Sequence, residues 1–179
     1  MKRRKKISHS VLLSAVLVFL LICGLSGCSQ ATFLEITVEG ETERVPATLY
    51  TGSGYSIYIP DEGWKVGTGE NSVSWTSTDN DRVSFSVTSV TEKTSGEALT
   101  GFVSESGFVF EDLQSGGYGD PLFGRNENDD ILAVMSAESA ESTEKESTVF
   151  LISWTYPAEA EEGFGARLAQ ITDTFELSR

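Results

Sequence analysis

Two cysteines, Cys23 and Cys28, are the residues whose type and spacing most directly suggest chemistry in this sequence. Two thiols so close together could form a disulfide, hold a metal ion or act as a redox pair. Cys23 lies within an uncharged apolar run, Val11 to Leu25, and Cys28 lies shortly after it. Their role therefore depends on whether that run stays in the working protein.

The N-terminus has the three-part organisation of a secretory signal peptide. Residues 2–6 are all Lys or Arg, the apolar run follows, and Ser26 and Gly27 are small. The run is shorter than the ~20 residues that cross a bilayer as a helix, and the basic residues favour a cytoplasmic N-terminus. We therefore predict a signal peptide over residues 1–27. The alternative is a signal anchor that is never cleaved.

The segment Leu25-Ser26-Gly27-Cys28 resembles the lipobox of bacterial lipoproteins, and all four positions match. The resemblance implies that Cys28 carries a thioether-linked diacylglyceryl group and becomes the mature N-terminus. Several acyl chains would then hold the protein at the cell membrane, on its extracytoplasmic face. Cys23 would leave with the signal peptide, so the resemblance argues against a disulfide between the two cysteines.

Loss of residues 1–27 would also change the net charge and the set of side chains available for catalysis. It leaves 152 residues, which is enough for one domain. These include eight Lys and Arg residues and all 27 acidic residues, so the formal net charge becomes −19. Such a domain should repel nucleic acid, although acidity also simply favours solubility. The only histidine, His9, is lost as well. Without imidazole or a free thiol, Ser-His-Asp and Cys-His catalysis and ordinary zinc, copper and haem sites are excluded. We therefore expect no catalytic residues, no metal and no cofactor.

The mature chain is predicted to form a single α+β domain, in which an antiparallel sheet carries two packed helices. A short tether, residues 28–32, precedes a domain over 33–179 that opens with a hairpin at 33–50. Pro46 in this hairpin suggests an edge strand or a strand entry. Alternating strands follow, and the strand near residues 147–156 is apolar on both faces, which predicts a central position.

Two segments have helical periodicity. Thr94 and Glu97 form a capping box before a helix predicted over Ser95 to Ser106. Apolar residues spaced four, three and four apart from Phe164 to Phe175 predict an amphipathic C-terminal helix. The glycines near its start weaken it.

The order of these elements resembles the Mog1/PsbP-like α/β/α sandwich family. The resemblance rests on "GYSIYIPDEGW" at the start of the domain, on "VSFSVTSV" before the first helix and on "ITDTFEL" at the end of the last helix. It covers Tyr55 to Leu177 and leaves the hairpin at 33–50 outside the pattern. The resemblance implies an interaction or assembly module without catalytic residues.

Several acidic or polar motifs have both a functional and a structural interpretation. Asn126 to Asp130 offers oxygen atoms at alternate positions, as a calcium loop does, but the glycine and glutamate of an EF-hand are missing. A turn before a strand is favoured over a weak calcium site, and residues 79–81 similarly favour a hairpin turn. Ser142 and Lys145 have the S-x-x-K spacing of penicillin-binding proteins without the companion motifs. This match is interpreted as chance.

The candidate binding residues are Gly117 and Tyr118, in the glycine-rich segment 115–119. Glycine frees the backbone there, and tyrosine offers an amphipathic anchor for a partner. A plain connecting loop is the alternative. The three tryptophans could stack on sugars or peptides, but their positions in strands favour the core; they are Trp64, Trp75 and Trp154.

These observations favour a lipid-anchored, non-catalytic binding or assembly module of the cell envelope. Its expected partners are the membrane, through the N-terminal lipid, and an envelope protein, with no nucleic acid. One alternative is a carboxylate-dependent hydrolase of wall glycan, which would need two carboxylates across a cleft. The other is a small solute-binding lipoprotein, although 152 residues are few for a two-lobed binding protein.

Overall fold

The computed structural model of the chain describes residues 32–92, 94–110, 120–139 and 147–178. Its strands are β1 (Thr32–Val38), β2 (Glu41–Thr51), β3 (Tyr55–Pro60), β4 (Trp64–Thr68), β5 (Ser72–Ser77), β6 (Ser84–Glu92), β7 (Val109–Phe110), β8 (Leu122–Arg125), β9 (Asp130–Glu138), β10 (Ser147–Pro157) and β11 (Glu176–Leu177). Its α-helices are α1 (Ser95–Glu105) and α2 (Ala166–Thr172). None of the helices within these ranges has the length and hydropathy needed to span a bilayer.

The strands form two antiparallel sheets, so the prediction of one sheet was wrong. The smaller sheet has the order β1-β2-β3-β11, and the larger one has the order β4-β5-β6-β10-β9-β8-β7. The chain passes from one sheet to the other at Asp61–Gly63, where Gly63 adopts a φ of 88°. The α+β class is confirmed in its coarse form, as a sheet-dominated domain with two helices in the described ranges.

The N-terminal hairpin is present, but it is part of the smaller sheet. β1 pairs over its whole length with Glu41 to Ala47 of β2, and Glu39 and Gly40 form the turn with positive φ. β1 already begins at Thr32, which the prediction had given to the tether. β2 is not an edge strand, because it also pairs with β3 from Ala47 onward. Pro46 lies just outside that pairing, where its missing N–H removes no ladder bond.

Strand β10 is central, as its two apolar faces predict. It pairs with β6 on one side and with β9 on the other. Val149 and Leu151 face a cluster under helix α1 that includes Ala98 and Leu99. The alternate residues of β10 enter the main core between the sheets; they are Phe150, Ile152, Trp154 and Tyr156. The larger sheet is therefore covered on both faces along this strand.

Aromatic rings join the two sheets and the C-terminal segment. Tyr55 of β3 stacks on Phe175, with ring centroids 5.4 Å apart, and approaches Phe150 of β10 at 5.3 Å. Trp75 stacks on Phe85 at 5.0 Å and meets Tyr50 edge-on at 5.1 Å. Burial, together with the neighbouring Tyr50, raises the pKa of Tyr55 to about 12.

The two helices agree with the sequence to different degrees. Helix α1 begins as predicted, with the Glu97 N–H donating to Thr94 Oγ1 at 3.1 Å, and Gly107 follows its end with a φ of 75°. The predicted C-terminal helix is shorter than expected. A 3-10 turn at Ala158–Ala160 and a π-helical turn at Glu161–Gly165 come first, and α2 has only seven residues. Leu168 and Ile171 are still buried in the main core.

Ser136 on β9 gives a prediction about polar burial. Its side chain is 1% exposed, and its Oγ has no hydrogen-bond partner in the described structure. Ser136→Ala removes a desolvated hydroxyl without breaking a bond, so the free energy of unfolding should stay level or rise by up to about 1 kcal/mol. Urea denaturation measures this.

Ser147 is the matched control for that change. It is also buried, but its Oγ donates to Glu138 Oε1 at 2.6 Å. Ser147→Ala should therefore lower the free energy of unfolding by about 1–2 kcal/mol, since hydrogen bonds to charged groups contribute more than neutral ones. Equal losses in the two variants would show that the Ser136 hydroxyl is satisfied in solution.

Candidate binding surface

Several residues singled out from the sequence lie outside the described ranges. They are Cys28, Gly117, Tyr118, Ser142 and Lys145. Among the tryptophans, Trp75 and Trp154 are buried in the main core, as predicted, and Trp64 is partly buried against it. No cluster of three or more metal-ligating side chains occurs within the described ranges.

The acidic segment Asn126 to Asp130 forms the hairpin turn between β8 and β9. Asn126 Oδ1 accepts from the N–H groups of Asn128 and Asp130, both at 2.9 Å. Asp129 adopts a φ of 60°, which asparagine and aspartate tolerate better than most residues. The prediction of a turn before a strand is confirmed. Residues 79–81 likewise form the turn between β5 and β6.

Arg82 connects this hairpin to two other loops. Its Nε donates to Asp130 Oδ1 at 2.9 Å, and its Nη2 donates to the Asn128 carbonyl at 3.0 Å. Its Nη1 lies 3.4 Å from Glu159 Oε1. The other Asp130 oxygen accepts from Asn126 Nδ2 at 3.1 Å. Protein donors therefore already occupy both carboxylate oxygens that a calcium ion would need.

Arg82→Ala should lower the free energy of unfolding by about 1–2 kcal/mol. It leaves Asp130, whose side chain is only 13% exposed, without its charged partner. Arg125→Ala is the control, because the Arg125–Asp129 pair is exposed on both sides and should contribute at most about 0.5 kcal/mol. Thermal unfolding of both variants measures the two losses of stability. Equal losses would show that the Arg82 interactions stabilise the protein no more than an exposed ion pair does.

A concave surface lies at the β7–β8 edge of the larger sheet. We call it the β8 groove; its lining includes Val109, Phe123, Arg125, Glu127 and Glu161. The groove has a volume of about 1250 Å³ and is open to solvent. Pockets for small molecules are usually more enclosed and measure roughly 300–1,000 Å³. Its size and openness therefore suit a segment of a larger molecule.

Two exposed apolar side chains form the contact area of the groove. Val109 is 73% exposed and Phe123 is 53% exposed. Val109 pairs with Arg125, which is two residues from Phe123 on β8. Cross-strand partners and alternate residues project from the same face of a sheet, so these three side chains share one face. Nothing in the sequence distinguishes Val109 and Phe123 from core residues.

The charges around the groove are mainly negative. Arg125 is paired with Asp129 through Nη1 and Oδ1 at 2.6 Å. Glu127 and Glu161 form no ion pair with any described residue. The pKa of the neighbouring Tyr156 is raised, first by burial and then by the negative charge of Glu161, while Arg125 acts in the opposite direction. The groove thus combines exposed apolar side chains with two carboxylates that have no cationic partner among the described residues.

The carboxylates that line the groove are Glu127 and Glu161, and both side chains are exposed.

Comparisons with known proteins concern the fold. No protein-family model matches the chain, and no curated protein matches it either. Among solved structures, cyanobacterial PsbP (CyanoP) from Synechocystis sp. PCC 6803 is similar to this chain. The TM-score is 0.51 at 13% identity, over 87% of this chain and 99% of that one. The fold is PsbP-like.

A second solved structure, of a protein from Bacteroides thetaiotaomicron VPI-5482, has a TM-score of 0.42 at 16% identity. That similarity covers 74% of this chain, which spans about half (48%) of the Bacteroides chain. The coverage of CyanoP shows that the PsbP-like fold includes most of the described residues. At such low identity, the similarity concerns the fold alone.

Proposed function

We propose that this chain is a lipoprotein on the extracytoplasmic face of the cell membrane, whose PsbP-like domain is a non-catalytic binding or assembly module of the envelope. The observation that carries the binding role is the β8 groove, with its exposed Val109 and Phe123. Exposed apolar side chains in a concave surface are typical of sites that bind other molecules. The anchoring role rests on Leu25-Ser26-Gly27-Cys28.

The absence of imidazole and free thiol from the proposed mature chain supports a non-catalytic role. Residues 28–179 contain no histidine, and their single cysteine is the proposed lipid attachment site. The proposed partner is an envelope protein that reaches the β8 groove while the N-terminal lipid holds the chain at the membrane. The excess of acidic residues argues against nucleic acid as a partner.

Metabolic labelling tests the anchor. The full-length chain, expressed in a bacterial host with an alkyne-tagged fatty acid, should take up label and sediment with membranes. Cys28→Ala should lose the label. Cys23→Ala, the matched control, should keep it, because Cys23 belongs to the proposed signal peptide. Label retained in Cys28→Ala would contradict the proposed anchor.

Site-specific crosslinking tests the binding role. A photo-crosslinking residue replaces Phe123 in the groove or Val66 on β4, which is 61% exposed and lies at the opposite edge of the sheet. In intact membranes, a defined adduct with one envelope protein should form from position 123 and not from position 66. Release of wall-glycan fragments by the purified domain, without such an adduct, would instead support a hydrolase.

A further inference from the structure

We propose that the β8 groove binds an extended segment of the partner protein in which apolar and basic side chains alternate. This inference rests on the proposed function and specifies the chemistry of its partner. Three features of the molecule support it: the charges that line the groove, its exposed apolar side chains and the position of strand β7.

Charge selects a basic segment. Of the three charged residues that line the groove, only Arg125 is cationic, and its Nη1 lies 2.6 Å from Asp129 Oδ1, which already neutralises it. Glu127 and Glu161 are exposed and form no ion pair with the residues that the structure describes. The whole sequence, with a formal net charge of −14, also attracts cations. A basic segment would therefore be steered to the groove and would pair with these two exposed carboxylates.

Geometry selects an extended segment. Val109 and Phe123 project from one face of the β7–β8 pair, and β7 is the last strand in the order of its sheet. An extended peptide presents every second side chain to one surface. Apolar side chains at alternate positions can cover Val109 and Phe123. The long basic side chains between them start on the other side of the segment and can bend back to Glu127 and Glu161, which also line the groove. Among the described residues, no strand pairs with β7 on its outer side, and addition of a peptide beside a sheet edge is a common mode of recognition.

Short fluorescein-labelled peptides test this inference by fluorescence anisotropy at low and moderate salt. One peptide alternates lysine and valine, a second replaces lysine with glutamate, and a third replaces valine with serine. The protein should bind the lysine–valine peptide most tightly, about tenfold or more above either counterpart. Amide chemical shifts should change around Val109, Phe123 and Glu161. Equal binding of all three peptides would overturn the inference.

Matched variants separate the groove from the general acidity of the protein. Glu127→Gln with Glu161→Gln should weaken binding of the lysine–valine peptide about three- to tenfold. Glu39→Gln with Glu70→Gln removes the same charge from two exposed turns elsewhere and should have little effect. If both double variants weakened binding equally, net charge alone would explain the attraction of the peptide, and the inference would be overturned.

The apolar contact has its own matched pair. Phe123→Ser should weaken binding about tenfold, whereas Leu49→Ser, at a side chain 45% exposed on the smaller sheet, should leave it unchanged. One result would refute this inference and leave the proposed function standing. In that result, position 123 forms a specific crosslink to an envelope protein, but peptide binding depends neither on charge nor on Phe123. Absence of that crosslink would refute the proposed function itself.

Discussion

Phe150→Ala is expected to lower the free energy of unfolding by about 3–5 kcal/mol. The Phe150 side chain is 1% exposed and lies on β10, the strand with buried residues on both faces. Its ring centroid is 5.3 Å from that of Tyr55 and 6.1 Å from that of Phe175. The substitution therefore leaves a cavity where the larger sheet meets β3 and the C-terminal segment. Urea denaturation followed by tryptophan fluorescence measures the loss.

A loss of this size approaches the whole stability of many small domains, which is about 5–15 kcal/mol. The matched control is Phe123→Ala, which removes the same atoms from a side chain that is 53% exposed. This control should change the free energy of unfolding by no more than about 0.5 kcal/mol. If Phe150→Ala cost less than about 1 kcal/mol, the aromatic contacts between the two sheets would not exist as described.

Most of the strands could be predicted from the sequence because their signals are local. Val83, Phe85 and Val87 alternate with hydroxyl side chains, and all three are buried. The acidic turns that precede β6 and β9 belong to hairpins between neighbouring strands. The double-sided apolar pattern of β10 predicted its central position, because only a strand covered on both faces can bury both sets of side chains.

The division into two sheets could not be predicted in this way. Pro60 to Gly63 has the composition of a turn, and β3 and β4 flank it closely, as they would in a hairpin. Yet β3 pairs with β2 and β11, whereas β4 pairs with β5. Alternation shows which side chains face a core but does not identify the neighbouring strand, and the partner β11 lies more than a hundred residues away.

The C-terminal helix shows the limit of periodicity as a signal. The spacing of Phe164, Leu168 and Ile171 is helical, and the latter two are buried against the core. The backbone over Glu161–Gly165 is nevertheless a π-helical turn. At Gly165, an added Cβ would lie 3.0 Å from the Tyr156 ring, so this part of the chain approaches β10 closely. The spacing of apolar side chains in the sequence does not indicate that the backbone comes this close to another strand.

The candidate surface was harder to predict than the fold. The binding residues proposed from sequence, Gly117 and Tyr118, lie outside the described ranges. Val109 and Phe123 have the same types as core residues, and only their exposure in the folded domain distinguishes them. The two carboxylates that line the β8 groove, Glu127 and Glu161, are only two of 27 acidic residues, and the sequence does not single them out. Within the described ranges neither has a cationic partner, because the arginines there pair with other carboxylates, and that follows from tertiary structure.

Gly52→Ala should destabilise the protein by about 1–3 kcal/mol or more, because the methyl group has no space. A Cβ at Gly52 would lie 2.3 Å from Cε1 and 2.5 Å from Cζ of Tyr55. The Tyr55 ring cannot move away freely, since it stacks on Phe175 and adjoins Phe150. The variant must therefore shift either the turn between β2 and β3 or the aromatic cluster. Urea denaturation measures the cost, and near-UV circular dichroism detects a change in the cluster.

Gly101→Ala is the matched control, because it adds the same methyl group where there is space. Gly101 lies in the middle of helix α1, and a Cβ there would have no neighbour within 4 Å. Alanine is favoured over glycine inside a helix by about 0.5–1 kcal/mol, so this variant should be more stable than the parent. The two glycine-to-alanine changes should thus have opposite signs. If Gly52→Ala were neutral, the Tyr55 ring would not lie against the β2–β3 turn in solution, and its stacking on Phe175 would have to be revised.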